Sequence, residues 1–227
     1  LTDASCRVRQ PRVSGVVLAG GESRRLGRNK ALQRIGDQTL IERVVGCIAP
    51  VSAEVIVVVA SPAKAAALPL PAEVRVVSDR YPRCGSLGGI FTGLSASRES
   101  WILLVACDMP FLDPRLMRRL MAMRRGVDAV VPCLNERPEP LHALYSKVCL
   151  EPMERMLQMG LLKIAPLFEM VRVRYVDERT IDRIDPHHRS FFNVNSPADV
   201  EEALGLLSEP ACRTTRGPEP PTATNGN

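Results

Sequence analysis

Only nine of the 227 residues are aromatic, one of them tryptophan, too few to build the stacking platforms on which single-stranded nucleic acids bind. No apolar stretch approaches the roughly 18 residues a membrane helix needs, and the first ten residues carry Asp3, Arg7 and Arg9 where a secretion signal would be apolar. The sequence therefore points to the cytoplasm, with neither a membrane nor a nucleic acid as partner. Seven cysteines, at 6, 47, 84, 107, 133, 149 and 212, include no CxxC pair and no spacing that resembles a zinc site or disulfide framework, and are read as reduced thiols. Cys84 and Cys107 flank glycine-rich or acidic loops, where core packing explains them better than redox control. Of three histidines, His187 and His188 are adjacent; their rings would point apart on an extended chain, so they read as a solvated loop pair rather than a chelate. Lysine is scarce too, four residues against 26 arginines, and Lys30 stands out from that background.

What is present is ordinary for a globular chain: 45% hydrophobic and 24% charged residues, enough for a real core. Charge is distributed unevenly. The first 36 residues hold eight cations against Asp3 and Glu22, while the remainder is close to neutral. A positive field concentrated in one segment favours an anionic ligand, and without aromatic interleaving a phosphorylated small molecule fits better than a nucleic acid.

Short apolar runs of strand length recur at 13–19, 54–60, 74–77, 101–107, 127–131 and 171–176, several of them β-branched on both faces. Helical patterns lie between them. Leu40, Ile41, Val44, Val45 and Ile48 repeat at intervals of three and four within 39–48. A second helix opens with Asp113 as N-cap and Pro114 at its first position, and ends near Gly126 with Arg124 and Arg125 placed against the macrodipole. A third carries the capping signature Ser196-Pro197-Ala198-Asp199 ahead of a stripe of Val200, Ala203, Leu204 and Leu207. Strands alternating with helices predict an α/β protein: a Rossmann-like three-layer sandwich, with a mostly parallel central sheet, helices on both faces, and ligands beyond the carboxyl ends of the strands. The expected organisation is a flexible segment over 1–11, one domain over 12–207 and a disordered Pro- and Thr-rich tail over 208–227.

The first strand runs into Leu18-Ala19-Gly20-Gly21-Glu22-Ser23-Arg24-Arg25-Leu26-Gly27-Arg28-Asn29-Lys30, a glycine-rich basic loop. Glycines let backbone N–H groups approach phosphate oxygens, and Arg25 and Lys30 add charge. A Walker loop is excluded because Arg28 and Asn29 separate Gly27 from Lys30; a nucleophile elbow is excluded because Arg25 stands where glycine is required. The run 101–107 delivers Asp108 to a strand tip, and Pro110 stops the ladder beyond it. A carboxylate so placed suits Mg²⁺, which takes one or two protein carboxylates with phosphate oxygens and water, although an aspartate there also caps turns. Asp79 precedes Gly85-Ser86-Leu87-Gly88-Gly89 and either accepts from a nucleoside or closes an ordinary turn beside a closely packed helix. Asn193 and Asn195, at spacing two ahead of the capped helix, would face one side and hold a polar ligand.

These segments, LAGG with Arg25 and Lys30, SLGGI at 86–90, CDMPFL at 107–112 and FNVNSPAD at 192–199, resemble in order the MobA-like nucleotidyltransferase superfamily over roughly residues 13 to 207. They are most similar to its bacterial molybdenum cofactor guanylyltransferases. The resemblance implies a Mg²⁺-dependent enzyme that transfers GMP from GTP to the phosphate of molybdopterin and releases pyrophosphate. It implies nucleotide contacts from Leu18, Ala19, Gly20, Gly21, Lys30, Asp79 and Asp108, catalytic roles for Arg25, Lys30 and Asp108, the metal on Asp108, and Asn193 and Asn195 towards the acceptor. Cofactor-insertion proteins and recipient molybdoenzymes would be its protein partners. The chain departs from the family pattern at Leu26, Asn29 and Ser86, at Ala60-Ser61, which lacks an asparagine used by some relatives, and at Leu162, where an arginine is frequent. Rival expectations are a transferase using CTP or another phosphorylated acceptor, against which Gly21 argues because cytidylyl relatives more often read LAAG, and a non-catalytic cofactor chaperone, which would not need Asp108.

Overall fold

The computed structural model describes residues 13–20 and 30–208; the expectations for residues 1–11 and the tail beyond Ser208, and for Gly21 and Arg25, lie outside the described residues. The apolar runs form the strands β1 (Ser14–Leu18), β4 (Glu54–Val59), β5 (Arg75–Ser78), β6 (Trp101–Ala106), β7 (Ala129–Leu134) and β10 (Val173–Val176). A minimal hairpin, β2 (Arg34–Ile35) with β3 (Gln38–Thr39), turns at Gly36, and β8 (Arg137–Pro138) and β9 (His142–Ser146) complete the set.

The main sheet runs β10-β7-β9-β6-β1-β4-β5, with β8 on β7. The β5, β4, β1 and β6 strands are mutually parallel, and β9 is antiparallel to both β6 and β7. This is the mostly parallel sheet expected, with two reversed strands, β8 and β9, that the apolar pattern did not reveal. Chain direction explains why β1 is central. It pairs with β4 on one side and, after two crossovers, with β6 on the other, so the crevice at the carboxyl ends of β1 and β6 is the topological switch point.

Alternation along each strand feeds two separate cores. Val17, Val57, Leu103 and Val105 face the helices α1 (Leu40–Ile48) and α4 (Pro114–Ala122), while Val16, Ile56, Ile102 and Leu104 face α3 (Gly85–Ala96) and α5 (Leu150–Gln158). Helices on both faces make three layers. The α1 helix is fixed at its start by a reciprocal capping box: Glu42 N–H donates to Thr39 Oγ1 at 3.3 Å, and the Glu42 carboxylate accepts the Thr39 N–H at 2.8 Å, worth about 1 kcal/mol. The second helix ends at Ala122, earlier than Gly126, yet Arg124 still serves its carboxyl end, donating to Met121 O at 2.9 Å. Small helices α2 (Pro62–Ala65), α6 (Leu167–Met170) and α7 (Glu178–Asp182) fill connections.

In α8 (Pro197–Ser208) the Ser196–Asp199 box is present, with Asp199 N–H on Ser196 Oγ at 3.3 Å and Ser196 N–H on the Asp199 carboxylate at 2.7 Å. Its expected apolar stripe is only half used. Ala203 is buried and Val200 packs with it against Ile35, Leu40 and Val194, but Leu204 and Leu207 are exposed. The helix packs on the rest mainly through Val200 and Ala203, and Leu207 reaches back to Gly36 of the β2–β3 hairpin. That small third core pins the segment before α8 beside the switch point.

Candidate active site

Three of the residues singled out from sequence converge at the switch point. Pairing of β6 with β1 continues one residue past the strand ends, Cys107 N–H donating to Leu18 O at 3.1 Å, so that Asp108 leaves the sheet directly beside Leu18, Ala19 and Gly20. Its backbone carbonyl accepts Val194 N–H at 2.9 Å, which draws the 192–195 segment onto the same edge. Val194 is fully buried, and Asn195 therefore turns outward. Lys30 opens a short 3-10 turn anchored by buried Ala31. Its ammonium donates to Asp108 Oδ2 and, at 2.7 Å, to Asn195 Oδ1. Residues 78 and 165 positions apart from Lys30 thus meet around one positive charge.

The second Asp108 oxygen, Oδ1, is buried and has no hydrogen-bond partner among the described residues. Such a group demands something that supplies positive charge or donors. Carboxylate and amide oxygens are the donors a hard divalent cation takes, so Asp108 with Asn195 fits one, whereas soft ligands are absent: Cys107 beside them is a thiol whose pKa burial and the adjacent Asp108 charge push up to about 12, against the pull of Lys30. Asp199 adds negative potential, its carboxyl held below the usual range by the Asn195 N–H, with Ser196 and Lys30 assisting.

Asn193 and Asp79 make contacts outside the Lys30–Asp108–Asn195 cluster. Asn193 spends its amide on Phe191 O at 2.9 Å. Asp79 follows β5, two strands away from β1, and its Oδ1 accepts from Tyr81 N–H at 2.9 Å and the Thr92 hydroxyl at 2.8 Å, contacts that hold the carboxylate just past the carboxyl end of that strand. Gly88 and Gly89 likewise have packing reasons, since a Cβ would lie 2.6 Å from Tyr81 O in the first case and 3.1 Å from Leu18 Cδ2 in the second. His188 is not simply solvated: its Nε2 lies 2.7 Å from Asp182 Oδ1, with Glu178 at 4.0 Å from Nδ1.

Sequence reading missed His142. It sits on β9 opposite Val105, fully buried and tilted against Phe191 with ring centroids 5.0 Å apart, and neither ring nitrogen has a side-chain hydrogen-bond partner among the described residues. Burial lowers its pKa to about 4, with the Ser190 backbone, Asp185 and Asp113 opposing. A single histidine in an unrecognised strand carries no sequence signal. The β7–β8 hairpin was hidden for a related reason: its turn residues, Asn135 and Glu136, both have positive φ without the glycine that usually marks such turns.

A sheet that switches direction around β1, with a lysine, a carboxylate and an amide gathered at its carboxyl edge, is the architecture of an α/β protein that handles nucleotide phosphates. Comparison with known proteins narrows this: residues 15–173 match the MobA-like NTP transferase domain. The chain belongs to the MobA-like NTP transferase family, and so to the nucleotidyltransferases. It is 39% identical over 190 residues, 84% of this chain and 91% of the relative, to a probable molybdenum cofactor guanylyltransferase of Pelotomaculum thermopropionicum. To the molybdenum cofactor guanylyltransferase of Desulfosudis oleivorans it is 35% identical, covering 86% and 96%. Among solved structures, a molybdopterin-guanine dinucleotide biosynthesis protein A from Archaeoglobus fulgidus superposes with a TM-score of 0.77 at 29% identity, covering 87% of this chain and all of that one. A cytidylyltransferase from Thermus thermophilus, at a TM-score of 0.64 and 18% identity, shares the fold. No helix among the described residues is long and apolar enough to cross a membrane.

Proposed function

We propose that this protein is a molybdenum cofactor guanylyltransferase, joining GMP from GTP to the phosphate of molybdopterin and releasing pyrophosphate. The observation that carries the reading is the convergence of Lys30, Asp108 and Asn195 at the carboxyl edge of β1 and β6, in a chain whose relatives bear that name over most of their length. GTP rather than CTP is the donor favoured by those relatives and by Gly21.

The chemistry needs no protein nucleophile. A phosphate oxygen of the acceptor forms a bond to the α-phosphorus of GTP while the bond from that phosphorus to the bridging oxygen of pyrophosphate breaks. Lys30 brings a fixed positive charge to the charge that gathers on the leaving pyrophosphate, and because Asp108 and Asn195 already hold it, little reorganisation is required. Arg25 and the N–H groups of the Leu18–Gly21 loop would act beside it. Asp108, assisted by Asn195, would hold Mg²⁺, which when bound neutralises phosphate charge and polarises the α-phosphoryl group. Asn195 and Asn193 would orient the acceptor phosphate, and Asp79 the nucleoside.

The test is transfer of label from [α-³²P]GTP to molybdopterin by the purified chain with Mg²⁺, measured against [α-³²P]CTP. The expected result is a guanine dinucleotide product with one pyrophosphate released per transfer, dependent on the metal. Preferential transfer of CMP would overturn the choice of base, and no product with either nucleotide would overturn the enzymatic reading.

A further inference from the structure

A cleft of about 510 Å³ opens where the β7–β8 hairpin faces the 187–192 segment and α8, within the size range of small-molecule sites. Its place in the sheet ties it to the reaction centre. Because β9 is antiparallel to both of its neighbours, β7 runs parallel to β6, and Leu134 ends β7 at the same carboxyl edge as Asp108. Two strand spacings put those ends about 10 Å apart. The opposite wall belongs to the segment that, three residues beyond Phe192, supplies Asn195.

The lining is chemically divided. Leu134 and Phe191 are buried and Phe192 is half-buried, making an apolar floor. At the rim, the exposed Arg137 carries a cation with no hydrogen bond or ion pair among the described residues. Glu139 is half-buried, its carboxyl group has no hydrogen bond or ion pair among the described residues, and burial raises its pKa. A half-buried carboxylate of this kind is satisfied by paired N–H donors in one plane, an unpaired guanidinium by anionic oxygen or sulfur, and an aromatic floor by a fused ring.

We infer that this cleft receives the pterin end of the acceptor, with Glu139 accepting from its amino–amide edge, Arg137 paired to its anionic substituents and the rings lying over Phe191 and Phe192. The assignment rests on the guanylyltransferase reading and adds to it a residue-level account of acceptor specificity. A ring system seated there would extend along the strand ends towards Asp108, with its phosphate at the reaction centre and GTP on the β1 and β4 side.

The experiment uses the full chain and its Glu139→Gln and Arg137→Ala variants, with circular dichroism melts as folding controls. Two readouts are taken: the KM for molybdopterin in GMP transfer, and the fluorescence anisotropy of pterin-6-carboxylate, an anionic pterin, with and without GTP. We expect each variant to raise the molybdopterin KM and the pterin Kd by about tenfold, the loss of one charge-assisted contact, while the KM for GTP is unmoved and GTP does not displace the probe. Unchanged KM and Kd in both variants, absence of probe binding to the unaltered chain, or displacement by GTP would each overturn the assignment. Efficient transfer with an acceptor KM insensitive to both changes sinks the cleft and leaves the enzyme standing. Variant-sensitive pterin binding without any transfer does the reverse.

Discussion

Asp108→Asn keeps the shape of the site and removes its charge, which separates the two tasks assigned to this residue. The Lys30 and Asp108 side chains are 16% and 19% exposed, between the surface pairs worth 0–1 kcal/mol and the buried ones whose disruption costs 3–5 kcal/mol. A charge-assisted bond in that setting contributes about 2 kcal/mol. Oδ1, buried and without a hydrogen-bond partner among the described residues, already costs the folded state something, so the net loss should be about 1–2 kcal/mol, a fall of roughly 2–8 °C in melting temperature for a chain of this size. Turnover should fall further, by about a hundredfold or more, because a preorganised stabiliser of the reacting phosphates is lost. Urea unfolding without ligands measures the first quantity, and GMP transfer at saturating substrates the second. A double-mutant cycle with Lys30→Met should show a coupling of about 1–2 kcal/mol in stability. Strict additivity of the two changes would refute the ion pair, and turnover within a few-fold of the unaltered enzyme would remove Asp108 from the chemistry, whatever the stability result.

Three further outcomes follow from the packing. A methyl group at Gly93 would stand 2.5 Å from Val16 Cγ1 and 3.3 Å from Val58 Cγ2, so Gly93→Ala should lower the unfolding free energy by about 1–3 kcal/mol; an unchanged urea midpoint would show that α3 does not ride so closely on β1. His142, with its folded pKa near 4 against about 6.5 when unfolded, is neutral in the native state, and the unfolded chain binds the extra proton between those values. Stability should therefore decline as pH falls from about 6.5 to 4, by up to about 1.4 kcal/mol per unit from this group, and urea titrations across that range should be flatter for His142→Leu; equal slopes would contradict a buried neutral ring. Cys107 and Cys149, both buried with pKa values pushed up to about 12, should resist iodoacetamide at pH 8 in the native protein and react on unfolding, as peptide mass mapping would reveal. Labelling of either in the native state would count against the packing described.

Much of this protein is legible along the chain because the relevant forces are local. Strand runs such as 54–59 announce themselves by β-branched residues on both faces, and the caps Thr39–Glu42, Asp113 and Ser196–Asp199 are satisfied within three residues. Lys30 and Asp108 were recognisable because a lysine in an arginine-rich loop and an aspartate at a strand tip are unusual where they stand. For Gly88 and Gly89 the reason lies in their packing partners, Tyr81 O and Leu18 Cδ2, which a Cβ would crowd. The exposure of Leu204 and Leu207 shows the limit of periodicity, which marks an apolar stripe but does not say how much of a helix at the domain edge finds a surface to cover it.

The sequence by itself determined the element types, the alternation that makes a covered parallel sheet and the identity of the charged groups, since each depends on side-chain period or on bonds spanning a few residues. Only the tertiary structure decided that β9 is reversed, that Asn195 rather than Asn193 joins Lys30 and Asp108, that His142 lies buried under Phe191, and that Arg137 and Glu139 share a cleft at the same sheet edge. Those outcomes turn on strand order and on contacts between residues as far as 165 positions apart, for which the chain carries no local record.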